Sequence, residues 1–134
     1  MNARFIHHRV TGVQRYAREV MKRLSGKVLP VAPKRPLKGV AGHLWEQTVL
    51  PWATRHTLLW SPCGSGPAFL RRQVVTVHDL APLIHPEWFN PRFARWYRWL
   101  LPRLVHNARR IIAVSEFTRQ SILEMFRVPE WKVT

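Results

Sequence analysis

The amino-acid sequence predicts an α/β fold, a Rossmann-like parallel sheet with helices on both faces. Two observations carry this. Val74-Val75-Thr76-Val77 and Ile111-Ile112-Ala113-Val114 are short β-branched or aliphatic runs without polar alternation, as strands covered on both faces require. Strand and helix patterns also alternate along the chain, the order that builds parallel βαβ units. With 134 residues and a hydrophobic fraction of 46%, the chain is the size of one domain with a substantial core.

The elements follow in order. Asn2-Ala3-Arg4-Phe5-Ile6 reads as the tail of a strand, too short to stand alone. Thr11-Gly12-Val13-Gln14 is a capping-box pattern, with Thr11 as N-cap. Val13, Tyr16, Ala17, Val20 and Leu24 follow at helical spacing, and Ser25-Gly26 closes the helix. Lys27–Val31 predicts a short edge strand, since Pro30 lacks a ladder donor. A basic loop spans Ala32–Gly42, and His43–Leu50 is helical up to the limit set by Pro51.

Leu58-Leu59-Trp60 predicts a buried strand, ending in the turn-rich Ser61–Pro67. The central strand Val74–Val77 delivers His78 and Asp79 at its carboxyl end, and a loop follows over Pro82–Pro91. Asn90-Pro91 is a helix entry, N-cap then proline at the first helical position. That helix runs to about Ala108, bent or broken near Pro102. After the strand Arg110–Val114, Ser115 caps a last helix with Phe117, Ile122, Met125 and Phe126 as its buried face. Val128-Pro129 ends it, and Lys132–Thr134 begins another strand.

Charge narrows the partners. Lys and Arg number 22 against 7 Asp and Glu, a formal net charge of +15. Such a surface expects an anionic counterpart: nucleic acid, anionic lipid or a phosphorylated substrate. The single Cys63 excludes an internal disulfide and fits a reducing compartment. The opening residues hold no apolar secretory core, and no run is long and apolar enough to span a bilayer.

Four places carry candidate chemistry. His78-Asp79 and Ser115-Glu116 each follow an apolar strand, where open parallel sheets bind their ligands. His78 could equally hydrogen-bond backbone, N-capping accounts for Ser115, and the helix dipole accounts for Glu116. Gly12 sits at a helix N-terminus, which attracts phosphate, although capping explains it as well. In the Asn90–Ala108 helix, Arg92, Arg95, Arg98 and Arg103 alternate with Phe93, Trp96, Tyr97 and Trp99. Arginine with interfacial aromatics suits an anionic bilayer, and the same chemistry stacks on single-stranded nucleic acid. The alternative is a helix packing Phe93, Trp96, Leu100 and Leu104 on the sheet with solvated arginines. No metal site is expected, because the histidines are scattered and His7-His8 lacks partners at ligand spacing. Ser65 is not in a nucleophile elbow.

Five segments together resemble glycosyltransferase family 4. They are Val10–Ala17, Leu44-Trp45-Glu46-Gln47, Val75–Leu80, His85-Pro86-Glu87-Trp88-Phe89 and Ile112–Arg119, in that order. The likeness is to the N-terminal lobe of its two-lobed GT-B enzymes, more particularly bacterial mannosyl- or rhamnosyltransferases of surface-polysaccharide assembly such as lipopolysaccharide. The resemblance implies that residues 1–134 form the acceptor-binding lobe, incomplete at both ends, its first strand nearly missing and the second lobe absent. It implies that Gly12 lies against the donor phosphates and that His78 contacts the transferred sugar. It places Asp79, Ser115, Glu116 and Arg119 along the cleft and acceptor side. It further implies retention of configuration without metal or cofactor, with a nucleotide-sugar such as GDP-mannose as donor.

The expectations that follow are a lipid-linked saccharide acceptor, a missing C-terminal lobe as partner, and no transferase activity in this chain alone. A cytoplasmic protein docked peripherally on the inner face of the cytoplasmic membrane would meet the bilayer through Arg92, Arg95, Trp96, Arg98 and Trp99. The competing expectation, a non-catalytic basic module for nucleic acid or another polyanion, explains the charge equally well. It leaves the polar pairs at two strand ends unexplained, and no nucleic-acid motif is recognisable.

Overall fold

A computed structural model describes residues 1–134. Three parallel strands form the sheet: β1 (Leu59–Ser61), β2 (Gln73–Val77) and β3 (Arg110–Ala113), in spatial order β1-β2-β3. In the register, Ser61 lies beside Val75 and Val77 beside Ala113. The helices are α1 (Gly12–Arg23), α2 (Gly39–Gln47), α3 (Val49–Ala53), α4 (Ala81–Ile84), α5 (Pro91–Asn107) and α6 (Glu116–Phe126). Short 3₁₀ turns lie at Arg4–His7, Pro86–Trp88 and Glu130–Lys132.

Strand alternation sorts the residues to two sides. Val75, Val77 and Ile111 join Leu100, Leu101 and Leu104 of α5 and Ile122 and Phe126 of α6 in the main core. Trp60 instead packs toward a smaller cluster of Met1, Ala3, Phe5 and Ala17, and its indole N–H donates to Thr76 Oγ1 at 3.0 Å. The sheet is therefore covered on both faces, as the unbroken apolar run in β2 requires.

The chain ends extend the sheet by single bridges. Asn2 pairs with Val31 in parallel, and the Asn2 N–H donates to the Trp60 carbonyl at 2.7 Å. Residues Met1–Phe5 are all buried, but of the segment read as the tail of a strand only Asn2–Ala3 run beside β1 and Val31, and Arg4–Ile6 turn into the 3₁₀ helix. Lys27–Val31 is not a strand: only Val31 pairs, and Leu29 and Pro30 face solvent. At the other end Val133 bridges Ile111, in line with the strand start expected at Lys132–Thr134.

Several boundaries differ from the sequence reading for physical reasons. The helix expected from His43 begins at Gly39 and stops at Gln47. Thr48 interrupts it, and α3 restarts with Pro51 in its first turn, where the missing N–H costs nothing. The 82–91 loop contains α4 and a 3₁₀ turn, because Pro82 and Pro86 each favour a helical first turn. Helix α5 continues through Pro102 as one element. Burial of Leu100, Leu101, Leu104 and Val105 on both sides of the proline holds it together. Asn90 caps it as expected, its side-chain oxygen accepting from the Arg92 N–H at 3.0 Å. In α6 the buried stripe is Thr118, Ile122 and Phe126, one turn apart, which leaves Phe117 and Met125 78% and 43% exposed instead of in the core.

Candidate functional site

The carboxyl ends of β2 and β3 are stitched together. The Val114 N–H donates to the Val77 carbonyl at 3.3 Å, and Thr118 Oγ1 donates to the His78 carbonyl at 3.1 Å. Ser115 Oγ accepts from the Thr118 N–H at 3.2 Å as the cap of α6. The two polar pairs thus sit side by side, and Ser115 is occupied by capping.

His78 is half-buried, with Nε2 at 2.8 Å from the Pro62 carbonyl. A carbonyl can only accept, so Nε2 carries a proton, and in the neutral ring Nδ1 is the acceptor nitrogen. The Tyr16 ring meets it edge-on at 5.1 Å, which seats α1 against the end of β2. Asp79 Oδ1 accepts from the Ala81 N–H at 3.0 Å and caps α4. Gly12 opens α1 with free space: a side-chain carbon there would meet nothing within 4 Å.

Above these strand ends lies a two-chambered cleft. The larger chamber, about 590 Å³, is bounded by α1, α2, α5 and the Arg4–His7 turn. The smaller, about 140 Å³, is lined by His78 and Asp79. Val13, Cys63, Phe89, Phe93 and Tyr97 line both, so the chambers adjoin along these side chains. Thr11 and Val13, on either side of Gly12, reach this wall. Ser115, Glu116 and Arg119 line neither chamber. Glu116 pairs with Arg119 at 3.2 Å and accepts from Gln120 at 2.7 Å, while Arg119 also approaches Glu130 at 3.7 Å. The Gln120 hydrogen bond, with Arg119 beside it, holds the Glu116 carboxyl below its ordinary pKa.

The floor of the larger chamber is a buried charge cluster that residue-by-residue reading did not identify as a site. Glu46 is fully buried; it accepts from Asn2 Nδ2 at 2.7 Å and Ser65 Oγ at 2.9 Å, and pairs with Arg4 at 3.2 Å and His43 at 3.5 Å. Burial pushes its pKa up, but His43, Arg4, Asn2 and Ser65 more than offset this and leave the carboxyl below its ordinary range. His8 is lowered by burial and by the Arg4 charge. Burial raises the Tyr97 phenol and pushes the Cys63 thiol up to about 12, so neither ionises near neutrality. The one sequence signal for the cluster is Glu46 inside the Leu44–Gln47 segment; nothing local marks Asn2 or Arg4 as its partners.

On α5, Arg92, Arg95 and Arg98 are exposed and Trp99 is partly exposed, with the Arg103 guanidinium 4.5 Å over its ring. Trp96 departs from this surface: it is half-buried against the main core and stacks on Trp99 at 5.0 Å. No three His, Cys, Asp or Glu side chains gather as a metal ion would require. No helix is long and apolar enough to cross a membrane.

Comparison with known proteins places this geometry. The chain is 31% identical over 65 residues to the O-antigen chain mannosyltransferase RfbU of Salmonella typhimurium, covering 48% of this chain and 18% of that protein. It is 28% identical over 107 residues to the O-antigen chain mannosyltransferase B of Escherichia coli, covering 78% of this chain and 28% of that protein. It therefore spans less than a third of either relative. No solved structure matches it significantly. The family model of Glycosyltransferase Family 4 matches residues 52–134, more than half of the sequence and the whole of the sheet, and the chain belongs to that family.

Proposed function

We propose that this chain is the acceptor-binding part of a retaining glycosyltransferase that moves a hexose from a nucleotide-sugar to a lipid-linked saccharide of a surface polysaccharide. The observation carrying this reading is the pair of adjoining chambers over the carboxyl ends of the parallel strands, with His78 lining one and the Arg4–Glu46 pair under the other. The two O-antigen mannosyltransferase relatives support a mannosyl donor such as GDP-mannose. No cofactor is invoked.

In this reading His78 is the residue at the transferred sugar. Pro62 fixes its ring and its tautomer, so Nδ1 is the nitrogen presented to a hydroxyl proton. Gly12 offers the α1 N-terminus to the donor diphosphate, where free N–H groups and an absent side chain permit close approach. Asp79 lies on the cleft wall beside His78. Ser115, Glu116 and Arg119 stand at the rim, where a second lobe would meet them. The nucleotide would be held by that C-terminal lobe, so this chain alone binds acceptor without transferring sugar. The exposed arginines of α5 bring it to anionic lipid at the inner face of the cytoplasmic membrane.

Titration of the purified chain with a farnesyl diphosphate-linked mannosyl disaccharide tests the reading. Saturable binding is expected, weakened about tenfold or more in Asp79→Asn on the acceptor side of the cleft, with no label transferred from GDP-mannose. Measurable transfer by the chain alone would overturn the acceptor-only assignment. Flotation with anionic but not neutral vesicles, lost at high salt, is expected for the membrane contact. Equally salt-dependent binding to oligonucleotides, without saccharide binding, would favour the polyanion-binding alternative.

A further inference from the structure

Helix α2 has its polarity inverted. Its buried positions are Gly42 and the charged Glu46, while Val40 and Leu44, one turn apart, are 75% and 59% exposed. A surface helix ordinarily turns its aliphatic stripe inward and its charges outward. Here Glu46 turns inward to meet Arg4 and Asn2, and the aliphatic side chains form an outer wall. Opposite them stand Phe93 and Trp96 of α5, and the four enclose a groove of about 510 Å³. That volume lies within the range of roughly 300–1,000 Å³ typical of small-molecule sites.

Gly39, His43 and Phe93 line the groove and also line the 590 Å³ polar chamber, so the apolar groove lies directly beside the polar chamber. No acidic residue lines the groove, and Arg92 stands on its wall. Arg95 and Arg98 are exposed on the following turns of α5, and Lys38 precedes α2. An occupant with an apolar tail and an anionic head fits that order of surfaces. A second copy of this chain, carrying +15, would be repelled by the same rim.

We infer that the groove between α2 and the first turns of α5 holds the isoprenoid chain of the acceptor lipid, with its diphosphate at the His43 and Arg92 mouth and its saccharide in the polar chamber. This rests on the lipid-linked acceptor proposed above. It makes Val40, Leu44, Phe93 and Trp96 a tail-recognition site, separate from the arginine face that meets bulk membrane.

The test compares inorganic pyrophosphate with farnesyl diphosphate, below its micellar concentration, by calorimetric titration of the full chain. Farnesyl diphosphate is expected to bind at least about tenfold more tightly, because each buried methylene adds to affinity. The double substitution Val40→Ser/Leu44→Ser is expected to erase that advantage and leave pyrophosphate binding unchanged. Both positions face solvent, so the fold should survive, checked by far-ultraviolet circular dichroism. Equal binding of the two ligands by the unaltered chain overturns the proposal. So does an advantage that persists in the double variant, or one accompanied only by loss of vesicle binding. A tail-free saccharide diphosphate separates this idea from the functional reading. If that saccharide fails to bind while the farnesyl advantage stands, the acceptor assignment falls and the groove remains.

Discussion

Two parts of this small molecule are held by opposite means. The main core gathers 14 buried apolar side chains, nine of them on β2, β3, α5 and α6. The N-terminal side, where residues 1–5 meet α1 and α2, has only four buried apolar residues and is fastened by the Arg4–Glu46–Asn2–Ser65 cluster. An apolar core is non-directional and tolerates exchange of shape for shape. A buried charge cluster holds only if every partner is in place, and it loses its grip when one is removed or protonated. The wall of the larger chamber is built on the second kind of support, so the position of that cleft depends on charges more than on packing.

The sharpest way to break that contrast is Glu46→Ala, which strands the Arg4 guanidinium in a buried place. A loss of about 3–5 kcal/mol is expected in denaturant unfolding. The double variant Arg4→Met/Glu46→Leu should recover most of it, since no unpaired charge remains; failure to recover would mean the cluster also serves packing. Acid gives a reversible version of the same loss. The folded Glu46 carboxyl lies below its ordinary value of 4.5, so its stabilisation is complete above about pH 4.5 and disappears as the pH falls through the lower folded value. Amide hydrogen exchange should therefore loosen residues 1–8 and 39–47 in acid before it loosens β2 and β3.

Leu104→Ala, in the apolar half, should cost about 2–5 kcal/mol with no dependence on pH in that range. Gly42→Ala tests the junction of the two. Its new carbon would overlap Arg4 Nη1 and lie 2.9 Å from the Leu37 carbonyl, so α2 must move or Arg4 must leave Glu46. About 1–3 kcal/mol is expected, together with weaker acceptor binding. The smallest effect concerns a surface cap: Asn90→Ala should cost about 1 kcal/mol through the lost bond to the Arg92 N–H, without altering the pH profile. A pH-dependent loss there would show that the groove and the charge cluster are coupled.

Much of the fold was legible because it follows from local rules. The runs at Val74–Val77 and Ile111–Ala113 have one use in a chain this size, as strands covered on both faces. Thr11, Asn90 and Ser115 mark helix starts because they satisfy free N–H groups within a few residues. His78 was legible as a strand-end residue, and its place on the cleft wall follows from the parallel sheet. Misreadings arose where local and distant demands compete. Lys27–Val31 has strand propensity, but only Val31 finds a partner, because the neighbouring segment Met1–Ala3 is short and turns into a 3₁₀ helix at Arg4. Phe117 carries a core side chain at a position that the Thr118, Ile122 and Phe126 stripe turns outward.

By itself, then, the amino-acid order determined the alternation of strands and helices, the caps, and which polar residues stand at strand ends, all consequences of contacts between near neighbours. Tertiary structure alone decided that Arg4 meets Glu46 across 42 positions, that α2 turns its acid inward and its aliphatics outward, and that two chambers and an apolar groove lie side by side. Those outcomes depend on the free energy of burying a charge with all its partners at once, and no short window of sequence contains that sum.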